Sequence, residues 1–347
     1  MDPPAPPDLL HQPEHAAVRC RRSNSVTDDT SVVKTNDDAT ECKRSAVALG
    51  YWSDPFVSMF TTDTTRRDPE IHRGYWARVA AIRLLVDRFL KLAGPAAQIV
   101  NLGAGFDTLY WQIAENVNLA QFVDVDFSSV TSKKVHHIMR PSAQRLKAML
   151  TRDASKPIRI ENRCNLTGAN YSLIGADLRQ IKELNDQLLL SDLVALNPNA
   201  PTLFVCECVL IYMSVDQSAA LLRLLAETFP CRAFVNYEQI NLQDKFSDVM
   251  QLNLRERGIT LAGMQACESD ATAKERFTSN GWPHARCFTM RYIYDSVLSK
   301  SEVKRIESIE FLDERELLSQ LLDHYAITFA HSGDTSSCKL SQCTAKF

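Results

Sequence analysis

The sequence lacks most of the devices by which enzymes are recognised from residues alone. It has no Gly-x-Ser-x-Gly elbow, no Gly-x-x-x-x-Gly-Lys loop and no His-Glu-x-x-His pattern. That removes the common signatures of serine hydrolases, P-loop proteins and zinc peptidases. Ten cysteines are scattered with no Cys-x-x-Cys pair, so they read as reduced thiols of a cytoplasmic protein, with no metal site. No apolar run approaches the ~20 residues that cross a bilayer. The first residues, Met1 to Pro7, lack the basic and apolar regions of a secretory leader. Positive charge is not in excess either: the formal net charge is -3, which gives no broad electrostatic reason for nucleic acid as the main partner. Neither nucleic acid nor membrane is expected.

Glycine is also scarce, with 11 in 347 residues, which draws attention to two that stand one residue apart. In Gln98-Ile99-Val100-Asn101-Leu102-Gly103-Ala104-Gly105-Phe106-Asp107 a short apolar run breaks into a glycine turn. Alternate glycines let the main chain take φ values closed to other residues and let a ligand approach it closely. A second β-branched and aromatic run, residues 121–126, ends in Asp126, 23 positions after Gly103. A carboxylate for ribose hydroxyls is expected at the end of the second parallel strand, beside the first glycine turn.

Further apolar runs at 171–178, 202–206 and 233–237 end in or run into Asp177, Glu207 and Glu238. Helical patterns separate them, at 71–93, 128–150 and 216–229, with more at 244–257 and 301–322. Alternation of this kind predicts an α/β protein with a doubly wound, mostly parallel sheet covered on both faces. All four acids should then lie at the strands' carboxyl ends, where such sheets bind ligands. Residues 325–330 read as an edge strand, and His136-His137 as surface positions on a helix. The 45% hydrophobic content is enough for a sizeable core.

The predicted organisation has three parts. Residues 1–40, rich in Pro, Ser, Thr and Asp, read as a disordered tail, because ordering them would bury little. Residues 41–330 form the folded domain, with lid and leading helices over 41–93 and an insertion near the substrate cleft over 241–290. Residues 331–347 read as a polar C-terminal tail.

Two cofactors suit this architecture, and charge separates them. A dinucleotide fingerprint places a third glycine or alanine three residues after the second, where the pyrophosphate meets the helix. Thr108 stands there, with Asp107 beside it to repel phosphate. S-adenosylmethionine carries no phosphate and has a cationic sulfonium, so these acids favour it, and a methyltransferase is expected.

The motifs Ile99 to Gly105 with Asp107, Val125-Asp126-Phe127, Ile174 to Leu178 and Glu207 to Met213 together resemble the leucine carboxyl methyltransferase family. So do Cys42-Lys43-Arg44, Gly50-Tyr51-Trp52, Arg73 to Arg78, Asn236-Tyr237-Glu238-Gln239, Ser279 to Trp282 and Arg305 to Asp313. The resemblance spans about residues 41–330. It implies the sheet of the class I S-adenosylmethionine-dependent methyltransferases with added lid helices. It also implies methylation of the C-terminal leucine carboxylate of the type 2A protein phosphatase catalytic subunit. Carried over by motif position, Gly103 lines the cofactor, Asp126 takes the ribose hydroxyls, and Asp177 and Leu178 hold the adenine. Lys43, Arg78 and Glu207 engage the methionine end. No general base is required, since a terminal carboxylate is ionised at neutral pH; Arg78 and Tyr212 are the candidates for positioning. A tRNA-modifying relative, a non-catalytic scaffold and a nicotinamide oxidoreductase are the competing readings.

Overall fold

A computed structural model describes residues 25–117, 119–194, 196–313, 315–335, 338–345 and 347. The predicted tail residues 1–24 lie outside these. Its nine-stranded sheet runs in the order β3-β4-β5-β2-β1-β6-β7-β9-β8. The strands are β1 (Gln98–Leu102), β2 (Gln121–Asp126), β3 (Arg159–Glu161), β4 (Asn165–Gly168), β5 (Tyr171–Gly175), β6 (Thr202–Glu207), β7 (Arg232–Gln239), β8 (His284–Thr289) and β9 (Tyr325–His331). The central five, β5-β2-β1-β6-β7, are parallel throughout. Strand order reverses beside β1, between β2 and β6, which is where open α/β sheets form their ligand crevice.

Among the described residues twelve helices surround the sheet: α1 (Ser25–Ala48), α2 (Pro69–Ala93), α3 (Leu109–Ala114), α4 (Ser128–Met139), α5 (Gln144–Leu150), α6 (Ile181–Leu189), α7 (Val215–Thr228), α8 (Lys245–Glu256), α9 (Asp270–Thr278), α10 (Met290–Tyr292), α11 (Lys300–Glu307) and α12 (Arg315–Asp323). Local chemistry sets several ends. Pro69 opens α2, where its missing N–H is harmless, and Gly94 closes it at φ 65°. Capping boxes start α7, α8 and α9. The expected helix over 128–150 is divided at Pro141, before which Arg140 is forced into an extended conformation, ψ 145°.

The parallel strands are buried on both faces, so alternation sorts their side chains into two apolar layers. Ile99 joins the layer with Phe89, Trp111 and Phe122, whereas Val100 and Leu102 join Phe204, Phe234 and Trp282. This is the covered sheet that the near-continuous apolar runs imply.

The structure corrects five expectations. Residues 25–40, read as part of a disordered tail, form most of α1; polar contacts described below, rather than apolar burial, hold it. Strand β9 is not at the edge: it lies between β7 and β8, antiparallel to both. The edge is β8, whose residues 284–289 therefore belong to the sheet and shorten the insertion expected over 241–290. The C-terminal segment is less polar in effect than in composition. Cys338, Leu340, Cys343 and Phe347 are buried, and Arg88 of α2 donates to the Cys343 carbonyl at 2.8 Å. Of the two histidines expected at the surface, His136 is exposed but His137 only partly so: its ring packs against Phe60 and Phe106, and Nδ1 lies 3.0 Å from the Met59 carbonyl.

No helix among the described residues is long and apolar enough to cross a membrane. The insertion between β7 and β8 is anchored by a buried ion pair between Glu238 and Arg276. Glu238 also accepts from Asn236 Nδ2 at 3.1 Å, and Arg276 donates to the Gly263 carbonyl at 3.0 Å. Removing one member of such a pair leaves an uncompensated charge inside the protein. Arg276→Met is therefore expected to lower unfolding free energy by about 3–5 kcal/mol in urea melts; a loss below about 1 kcal/mol would show that the insertion is held otherwise.

Candidate active site

The turn after β1 is tied to the neighbouring strand, with the Gly103 and Ala104 amides donating to the Val125 carbonyl at 2.8 and 3.0 Å. Its two glycines are required by different neighbours. Gly103 has φ 66°, and a Cβ there would stand 2.3 Å from Val209 Cγ2. Gly105 has φ 48°, and a Cβ there would stand 2.3 Å from Asn36 Oδ1 on α1. The turn is thus pressed between the segment after β6 and the N-terminal helix. Beside it opens a cavity of about 320 Å³, within the range of small-molecule sites.

All eight residues designated from sequence border this cavity: Lys43, Arg78 and Glu207 at one end, Gly103 and Asp126 along the floor, Asp177 and Leu178 at the other end, and Tyr212 on the side. Asp126 accepts from the Gly105 and Phe127 amides, both at 2.7 Å. Burial nevertheless pushes its carboxyl up to about 6. The neighbouring acid of the same strand, Asp124, is turned to other use. It is buried against Lys134 Nζ at 2.8 Å and the Tyr171 hydroxyl at 2.6 Å, away from the cavity lining.

At the first end, charges of both signs converge. Arg78 Nε donates to Glu207 Oε2 at 2.5 Å, and Lys43 Nζ lies 3.6 Å from the same oxygen and 3.3 Å from Asp107 Oδ1. Burial works against each of these charges. Glu207 outweighs it for Arg78, and Asp107 with Glu207 outweighs it for Lys43, so both cations stay protonated. Lys43 and Lys134 likewise outweigh burial at Asp107 and hold its carboxyl below the usual range. The Arg78 guanidinium lies 4.6 Å from the centre of the Tyr237 ring and 5.5 Å from that of Tyr75, so its flat faces meet aromatic carbon. At the far end Arg179 grips Asp177 and reaches Asp29 of α1 at 2.9 Å. Tyr212 keeps its proton, because burial drives its phenol well above the ordinary value.

Not every expected acid is here. Glu238 follows Tyr237 on β7, and successive strand residues face opposite ways. Tyr237 therefore meets Arg78, and Glu238 meets Arg276 on the other face. What the sequence reading missed is mostly on α1, where Asp29, Val32, Val33, Asn36 and Thr40 border the cavity along with the expected Lys43. They recur at helical spacing, three or four apart. Asn36 Oδ1 accepts from the Phe106 amide at 2.7 Å, and Asp38 pairs with Arg257 beyond α8. The periodicity was there to be found; its polar composition hid it, because it covers a polar cavity.

A second cavity of about 450 Å³ adjoins the first. Tyr75, Arg78 and Tyr325 border both. Ile71, Leu321, Leu322 and Tyr237 give the second an apolar wall. Among the described residues no cluster of three or more His, Cys, Asp or Glu is arranged to hold a metal.

A model of the leucine carboxyl methyltransferase family matches residues 16–226. Leucine carboxyl methyltransferase 1 of Caenorhabditis elegans is 45% identical, over 95% of this chain and 99% of that protein. The protein of the same name from Bos taurus is 40% identical, over 90% and 92%. The human tRNA wybutosine-synthesizing protein 4 is 34% identical over 88% of this chain but only 45% of its own length. The family model covers more than half of the sequence and the nematode relative nearly all of it: the chain belongs to the leucine carboxyl methyltransferase family.

Proposed function

We propose that this protein methylates the α-carboxylate of the C-terminal leucine of a type 2A protein phosphatase catalytic subunit, in the cytoplasm. The enzyme class follows from the family: it is a methyltransferase, and its cofactor is S-adenosylmethionine. The observation that carries the substrate reading is the position of Arg78, which borders both cavities while its Nε is committed to Glu207.

The first cavity fits the cofactor on chemical grounds. Asp126 offers buried carboxylate oxygens to ribose hydroxyls, and Asp177 and Leu178 offer an acceptor and an apolar edge to adenine. Glu207 is an acceptor for an ammonium, and Arg78 and Lys43 are donors for a carboxylate. When bound, S-adenosylmethionine supplies an electrophilic methyl group on a sulfonium centre.

The protein's own part is orientation and exclusion of water. A terminal carboxylate has a reference pKa of ~3.5 and arrives ionised, so no residue need remove a proton. Arg78 can draw it to the junction of the cavities, and the neutral Tyr212 hydroxyl can donate to it. The apolar wall of Ile71, Leu321 and Leu322 suits an aliphatic side chain beside that carboxylate. Helix α1 closes over the first cavity and keeps water from the reacting groups, which is the main requirement for an in-line displacement.

Incubation with labelled S-adenosylmethionine and the phosphatase catalytic subunit should place label on the intact subunit and none on a form lacking the terminal leucine. Label that persists without that leucine, or that enters tRNA instead, would overturn the assignment. Cofactor affinity should also depend on pH. Ribose hydroxyls donate to the ionised form of Asp126, so binding strengthens as pH rises through about 6 and levels off above it. Calorimetry at pH 5 and 7.5 should differ by about tenfold, the effect of one proton over this range. Asp126→Asn should flatten the profile, whereas a flat wild-type profile would remove Asp126 from the binding site.

A further inference from the structure

Strand β7 carries a residue that the cofactor reading does not use. Gln239 borders the first cavity on the same strand face as Tyr237, two positions away. It is 6% exposed, and its Oε1 has no hydrogen-bond partner among the described residues. An acceptor buried without a partner is a costly feature that calls for an explanation. Its neighbour across the sheet is Tyr325, the residue directly opposite in the β7–β9 register. Tyr325 stacks on Tyr237 at 5.3 Å and borders both cavities. The amide therefore lines the first cavity beside a tyrosine that borders both, with an oxygen to spare.

That oxygen is neutral, whereas the charged acceptors Glu207 and Asp107 lie with Lys43 and Arg78. A neutral acceptor matches a neutral donor, and a peptide substrate presents one beside its terminal carboxylate: the N–H of its last residue. We propose that Gln239 Oε1 accepts a hydrogen bond from the terminal amide N–H of the substrate, so that the enzyme distinguishes a peptide-linked C-terminal residue from a carboxylic acid without that donor. This rests on the carboxyl methyltransfer reading above. Gln239 thereby becomes a specificity residue, reading the bond that precedes the methylated group, while the apolar wall reads the side chain.

The test compares two short synthetic peptides ending in leucine, one ordinary and one in which an ester oxygen replaces the terminal N–H. Wild-type enzyme is expected to favour the amide by about tenfold in kcat/KM, the effect of one buried hydrogen bond. Gln239→Met should bring the ratio near one while leaving S-adenosylmethionine affinity, measured by calorimetry, as in wild type. Gln239→Glu, which keeps an acceptor oxygen, should retain the preference. Equal losses on both peptides in Gln239→Met, or weakened cofactor binding to match, would overturn the proposal. If wild type binds the cofactor but methylates neither peptide nor the intact catalytic subunit, the carboxyl reading falls and this inference with it.

Discussion

One carboxylate, Glu207, organises the site. It stands at the end of β6 and is shared between Arg78 of α2 and Lys43 of α1, while Lys43 also reaches Asp107 in the turn after β1. Charges this deeply buried are tolerable only in one another's company, and a missing partner would leave a strongly penalised orphan. The contact does more than pair charges. It ties together the sheet, the leading helix and the N-terminal helix around the cavity.

The remaining features follow from that arrangement. Arg78 is fixed against Glu207 on one side and the Tyr237 ring on the other, which leaves it at the wall between a polar cavity and a partly apolar one. The acids at the strand ends then divide by environment. Asp126 and Asp177 border the first cavity, Asp124 is absorbed by Lys134 and Tyr171, and Glu238 anchors the insertion through Arg276. Four acids at strand ends do not make four ligand contacts; the strand's alternation decides which of them face the cavity.

Much of this was legible in the residues. The runs at 98–102, 121–126 and 202–206 were apolar enough on both faces to require a covered parallel sheet, and Gly103 with Gly105 marked the turn. Asp126 and Glu207 could be placed at the crevice because each ends a parallel strand, although the preference for Asp126 over Asp124 came from the family resemblance. The hidden part has a common cause. Helix α1 is held by Asp29–Arg179, by Asn36 with the Phe106 amide, and by Asp38–Arg257, so its composition resembles that of a solvated tail. Strands β3 and β4 span only three and four residues, β3 exposed and β4 largely buried, and edge strand β8 is mostly solvent-facing, so none carries a readable alternating pattern. Gln239 was visible as one residue of a motif, but its unpaired oxygen is a property of packing that no spacing records.

The most direct measurement is S-adenosylmethionine affinity, by calorimetry, across Lys43→Met, Arg78→Met and the double variant. If the shared Glu207 carboxylate is the organising contact, each single substitution weakens binding by at least about tenfold. The double variant should then lose clearly less than the sum of the two free energies, with a coupling on the order of 1 kcal/mol. Additive losses, or affinities unchanged within about twofold, would contradict that role.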